Sequence, residues 1–264
     1  MDYRKPFEKA RPEEVGVPSK LILEYIDNLE HSQTEMHGLM IMRHNKMIAE
    51  GWWTPYGPNL RHGLQSHTKT YAATAVGIAY TEGLLKLDER LIDIFPDESP
   101  EEPSENLKLL TVRDVLCMGC GMETMPFNSK DWIREFMHTP VVHKPGTKYM
   151  YNSTGSTLLG AIVRKKTGLG LHDYLTPRLF NKIGINPDNL RWMCMADGME
   201  VGEASRLLFL AGLGGHPPGY VLGSIIVVHG TLSADGQGVG LRIKRPGQIL
   251  ATIAADGVSV GQRY

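Results

Sequence analysis

Charge of either sign brings almost no surplus to this 264-residue sequence: 28 Lys and Arg stand against 29 Asp and Glu, for a formal net charge of −1. Without a long-range field of one sign, binding to nucleic acid or to an anionic membrane surface is not expected, and a small ligand of neutral or mixed charge is. Long apolar runs are missing too. No stretch is long enough to span a bilayer, and the start, Met1 to Lys9, is charged where a secretory leader would be apolar. The expectation is a cytoplasmic protein with no membrane partner. Cysteine is scarce: Cys117, Cys120 and Cys194 are odd in number and irregular in spacing, a poor disulfide framework. Cys117 and Cys120 could offer half of a zinc site, but Cys194 is remote and no histidine is spaced to help. The three thiols are therefore read as small buried residues, and no metal is expected. Repeats and low-complexity segments are also absent. Hydrophobic residues make up 42% and charged residues 22%, the balance of a globular chain with a sizeable core.

Periodicity divides the chain into three stretches. Pro18 opens a helix with Leu21, Leu23, Tyr25, Ile26 and Leu29 along it, and Leu39–Arg43 and Lys46–Trp53 flank His44-Asn45 as a β-hairpin. From residue 66 to about 200 the pattern is mostly helical. It includes a helix ending near Gly83, one capped by Thr111, and one beginning near Ser156 with Leu158, Leu159, Ile162 and Val163 on it. In the last third, Val221–Val228, Val239–Ile243 and Ile249–Ala254 read as strands between glycine-rich turns. The fold class expected is α+β: an antiparallel sheet drawn from the N- and C-terminal segments, flanked by helices, with a helical lobe inserted. A single domain over 1–264 follows, with a sheet lobe from about 1–65 and 219–264 and a helical lobe from about 66–218.

The most chemically suggestive spacing is Ser66-His67-Thr68-Lys69. Residues three apart on a helix are surface neighbours, so Lys69 can reach the Ser66 hydroxyl. A serine hydroxyl needs a base to accept its proton, and a lysine serves when burial or nearby positive charge favours its neutral form. The apolar run Ala72, Ala73, Ala75, Val76, Ile78 and Ala79 supplies a buried helix whose positive N-terminal end lies beside both groups. A cap followed by a solvated lysine is the plainer reading of the same residues. A second polar cluster, Pro145-Gly146-Thr147 followed by Tyr151-Asn152-Ser153-Thr154, precedes the next helix. There Asn152, Ser153 and Thr154 can also serve simply as partners for the amides of its first turn.

Taken together, Ser66-x-x-Lys69, Pro145-Gly146-Thr147, Tyr151-Asn152-Ser153 and Gly155 to Ile162 resemble the serine β-lactamase-related hydrolases. The nearest branches are the class C β-lactamases, family VIII esterases and D-alanyl-D-alanine carboxypeptidase-like proteins. The resemblance extends through Pro12–Pro18, Glu82–Asp88 and Leu109–Leu116 and covers most of the chain up to Gly202. It implies Ser66 as acyl-accepting nucleophile, Lys69 as its proton-transfer partner and Tyr151 as a shared base. In the family's tyrosine motif asparagine is commoner where Ser153 stands, and Asn152 sits one place early; both are candidate substrate contacts.

A third element of that resemblance, the strand opposite the serine, best matches Ser233-Ala234-Asp235-Gly236-Gln237. Gly236 would let the backbone approach a ligand, and the Gln237 amide would join that of Ser66 in an oxyanion hole. Ala234 stands where a lysine or histidine would bring positive charge, which turns the expectation toward an ester or amide lacking a carboxylate. Compared with that family, the stretch 203–218 looks shortened, and a final helix is not seen before Tyr264. The function implied is a serine hydrolase that forms an acyl-enzyme on a small ester or amide, with no cofactor. The alternative is a catalytically impaired or non-catalytic ligand-binding member of the same fold. No oligomeric state is implied.

Overall fold

The structure is a computed structural model that describes residues 7–32, 34–126, 130–195, 198–208 and 224–227. The chain divides into two compact units, one formed by residues 63–207 and the other drawing on residues up to 62 together with those after 207.

In the second of these units, helix α1 (Ser19–His31) follows Pro18, and its buried face carries Ile22, Tyr25 and Leu29. Strands β1 (Gly38–Arg43) and β2 (Lys46–Trp52) pair antiparallel as the expected hairpin. His44 and Asn45 at the turn have φ of 50° and 60°, the left-handed pair that suits the twist of a two-residue connection. The core lies between α1 and the hairpin, where Ile22, Tyr25 and Leu29 meet Leu39, Ile41 and Ile48. Alternation along β1 turns Leu39, Ile41 and Arg43 to the buried face.

The 63–207 unit follows the short strand β3 (Arg61–Gly63). Helix α2 (Thr68–Thr81) stops where Gly83 takes φ +73°, close to the expected end. Three short helices follow: α3 (Leu91–Ile94), α4 (Glu105–Leu109) and α5 (Val112–Leu116). Thr111 caps α5 as expected, in a reciprocal box with Asp114. Next come α6 (Trp132–His138), α7 (Ser153–Thr167), α8 (Leu171–Leu175) and α9 (Asn181–Ile183). The two long helices pack on each other and make the core of this unit. Ala72, Ala75, Val76 and Ala79 on α2 are fully buried, as are Leu158, Ile162 and Val163 on α7. Glu82 fastens the far end of α2 by accepting hydrogen bonds from Arg178 and Tyr174, with the Arg178 guanidinium 4.1 Å over the Tyr174 ring.

Three differences from the sequence reading stand out. Helix α7 begins at Ser153, three residues before its expected start, because Asn152 supplies the cap. Apart from their connections, the described residues after 190 are strand, not helix. Strands β4 (Leu190–Cys194) and β5 (Glu200–Leu208) pair antiparallel, so residues 203–208 are strand, not the remnant of a helical segment. Only Leu190 of β4 is buried, so its sequence carries no clear period and the strand is defined by pairing with β5. Strand β6 (Ser224–Val227) joins β1 from the far end of the sequence, as a sheet built from both ends requires, but parallel to it. A parallel neighbour needs a long crossover, and the 63–207 unit intervenes in the chain. The expected strands at 239–243 and 249–254 lie outside the described residues, as does the segment 209–218. Among the described residues, no helix is long and apolar enough to cross a membrane.

Two glycines at similar φ separate backbone strain from steric exclusion. Gly83 has φ +73° and open space around it. Gly121 has φ +76°, and an added Cβ would run into the His143 carbonyl. Gly83→Ala is expected to cost about 1 kcal/mol from the left-handed backbone alone. Gly121→Ala adds overpacking, for a total of about 3 kcal/mol. Urea denaturation of the two variants checks the order; equal losses would contradict it.

Candidate active site

Ser66 lies outside the regular helix. Leu64 is buried, Gln65 turns the chain through a left-handed φ of 47°, and residues Gln65–His67 form a single 3-10 turn that feeds α2. That turn leaves Ser66 exposed, while Lys69 sits half-buried in the first turn of α2. Lys69 Nζ donates a hydrogen bond to Ser66 Oγ at 3.1 Å. Between them, His67 packs edge-on to Tyr71, and burial holds its imidazole below its ordinary pKa.

Tyr151 reaches the same oxygen from the segment just ahead of the other long helix. Its hydroxyl donates to Ser66 Oγ at 2.7 Å, and Lys69 Nζ lies 5.0 Å from the centre of its ring. Two side chains, Lys69 and Tyr151, thus converge on the Ser66 hydroxyl, with Tyr151 46% exposed. The segment that delivers Tyr151 is tied down residue by residue. His143 N donates to Gly121 O, Gly146 N to Gly119 O, and Met150 N to Met118 O. Beside this ladder, Glu123 Oε1 accepts from Lys148 at 3.1 Å and lies 2.8 Å from His143 Nε2; these two partners hold its carboxyl below the usual range.

Asn152 and Ser153, expected as ligand contacts, are placed differently from Tyr151. Asn152 is 1% exposed, and its side-chain carbonyl accepts from Gly155 N at 2.7 Å as the cap of α7. Ser153 is buried in the first helical turn. The plainer reading of this cluster describes Asn152 best: its oxygen is committed to an amide of the helix. Gly236 and Gln237, expected in the oxyanion hole, and Ala234 beside them lie outside the described residues.

Sequence reasoning missed the ladder that aims Tyr151. Gly119, Gly121 and the Pro145-Gly146 turn were its visible signal, because the two segments come so close that a Cβ at Gly121 would run into the His143 carbonyl and one at Gly119 would press on Gly146. It also placed all three thiols in the interior. Cys120 is buried, and burial pushes its thiol up to about 12, which makes it unreactive. Cys117 and Cys194 are exposed. Cys117 follows the end of α5 and Cys194 sits on the poorly covered strand β4, so their apolar neighbours in sequence did not translate into cover.

The helices and small sheets of this α+β fold are those of the β-lactamase-fold proteins. The chain belongs to the Beta-lactamase family, whose profile matches residues 26–190. A curated relative from Escherichia coli K12, named "Putative D-alanyl-D-alanine carboxypeptidase", is 27% identical over 140 residues, covering 47% of this chain and 32% of the relative. This chain therefore matches only about a third of that relative's length. Among solved structures, the "Putative 6-aminohexanoate-dimer hydrolase from Bacillus anthracis" superposes with a TM-score of 0.60 at 15% identity, covering 78% of this chain and 60% of that one. FmtA from Staphylococcus aureus gives 0.57 at 13% identity, covering 78% and 66%. Those two likenesses concern the fold.

The cap predicts a measurable loss. Asn152→Ala removes the acceptor for Gly155 N and is expected to lower stability by about 1 kcal/mol. A urea midpoint equal to that of the wild type would show that α7 does not depend on this cap.

Proposed function

We propose that this protein is a serine hydrolase that forms an acyl-enzyme on a small ester or amide. The observation that carries the reading is the convergence of Lys69 Nζ, at 3.1 Å, and Tyr151 Oη, at 2.7 Å, on Ser66 Oγ. Both groups are within the reach required for proton transfer from the attacking hydroxyl. In the proposed reaction Ser66 Oγ bonds to the substrate carbonyl carbon while its proton passes to Lys69 or Tyr151. The carbonyl π electrons move onto oxygen. The amide of Ser66 is one donor proposed to hold that oxyanion, and Gln237 is proposed as the second. Collapse of the tetrahedral intermediate breaks the bond to the alkoxide or amine, which leaves with the proton held by the base. Water repeats the sequence on the acyl-enzyme and releases the acid.

Membership of the Beta-lactamase family and the hydrolase names of its relatives support the reaction class. Asn152 is left out of the proposed substrate contacts because its oxygen is occupied by the helix. Ala234 in place of a cation favours substrates without a carboxylate and also motivates the second reading, a ligand-binding member that does not turn over.

Hydrolysis of a p-nitrophenyl ester and of a chromogenic cephalosporin tests the proposal. Ser66→Ala is expected to abolish turnover, and Lys69→Ala and Tyr151→Phe each to lower kcat/KM by about 10²- to 10⁴-fold with the melting temperature unchanged. Turnover of the ester alone would mark an esterase. Residual activity equal to wild type in Ser66→Ala would remove Ser66 from the mechanism, and a folded protein inert toward both substrates would favour the ligand-binding reading.

A further inference from the structure

The unit that contains α1 and the β1/β2 hairpin holds a titratable pair with no part in the chemistry above. His37, immediately before β1, is 2% exposed, and its Nδ1 lies 2.6 Å from Nε2 of His62 in β3. Its ring stacks on Tyr56 with centroids 3.5 Å apart and planes 15° from parallel. Its other nitrogen, Nε2, is buried and has no hydrogen-bond partner among the described residues. The backbone is pinned as well: Trp53 N donates to His37 O, and an added Cβ at Gly38 would press on the Trp52 ring.

At 2.6 Å only one hydrogen fits between two ring nitrogens, so one of these faces donates and the other accepts. A second proton between the facing nitrogens would set two N–H groups against each other, and charging His37 through its other nitrogen would leave that N–H buried beside Tyr56 and unpaired. The groups facing His37 are few. His62 comes from β3, Tyr56 from the loop after β2, and Glu35 from the segment ahead of β1; Arg61, next to His62, is exposed. Burial and His62 hold the His37 imidazole below its ordinary pKa, and only Glu35 acts against them.

We propose that the His37–His62 pair is a pH-sensitive latch: it closes this unit when the two imidazoles share a single proton between their facing nitrogens, and it loosens under mild acid. The inference is independent of the reaction proposed for Ser66. Its sign follows from proton counting. The unfolded chain binds a proton on each histidine once the pH falls below about 6.5, whereas the folded pair excludes at least one of them. The stability that the latch contributes is present above the ordinary histidine pKa and is lost as the pH falls further. For each excluded proton the unfolding equilibrium constant rises about tenfold per pH unit in that range.

The test is urea unfolding of the full chain at steps from pH 7.5 to 5.0, with wild type, His62→Gln and His37→Phe compared. Wild type should show an unfolding constant that climbs by about tenfold per unit below pH 6.5. His62→Gln keeps a hydrogen-bonding partner for His37 but removes one titrating group, and it should show a visibly shallower climb. His37→Phe keeps the stack on Tyr56 and should do the same. If both variants follow the wild-type pH dependence, the latch is refuted. Should either variant fail to fold, the imidazole nitrogen chemical shifts of the wild type decide. His37 retaining a neutral signature at pH 5.5 supports the latch; both rings titrating independently near 6.5 would overturn it.

Discussion

The close approach of α2 and α7 is the contact on which the candidate site depends. Ser66 and Lys69 belong to the beginning of one helix, and Tyr151 directly precedes the other. Both helices bury small residues, Ala72, Ala75 and Ala79 on α2 and Gly155, Ser156, Gly160 and Ala161 on α7. Small side chains let two backbones come near enough for the groups at their leading ends to meet. Hydroxyls in that contact are satisfied locally, Ser156 on Asn152 O and Thr157 on Ser153 O, so burial leaves them paired.

Around that contact, the remaining elements act as fixings. Arg178 and Tyr174 hold the trailing end of α2 through Glu82, and the Gly119 to Gly121 ladder fixes the approach to Tyr151. Glu200 on β5 accepts from the amides of Leu171 and His172 at the start of α8, which ties the strand pair to the helices. Its burial raises the Glu200 carboxyl while those amides oppose the shift. The turn that carries Ser66 therefore rests on a framework whose parts are far apart in sequence.

Much of this was legible in the residues because local signals and the family pattern pointed the same way. The hairpin at His44-Asn45, the Thr111 cap and the end of α2 at Gly83 are written in short-range chemistry. The Ser66-Lys69 proximity follows from helical spacing alone, whereas Tyr151 came from the resemblance: a contact across 85 positions has no local signature. Where the reading erred, it lacked a local period or misjudged cover. Strand β4 has one buried residue and is defined by its partner, and Cys117 and Cys194 lie at element ends where apolar composition did not ensure burial. Asn152 showed the reverse. Its residue type fitted a cap and a ligand contact equally, and only its 1% exposure separates the two.

The central claim is that Ser66 is the one activated hydroxyl of the site. Peptide mapping by mass spectrometry after exposure of the folded chain to a fluorophosphonate tests it most directly. The account predicts a single phosphonyl adduct on the peptide containing Ser66, formed far more slowly when Lys69 is replaced by alanine. An adduct on another residue, or none on protein shown to be folded, would contradict it.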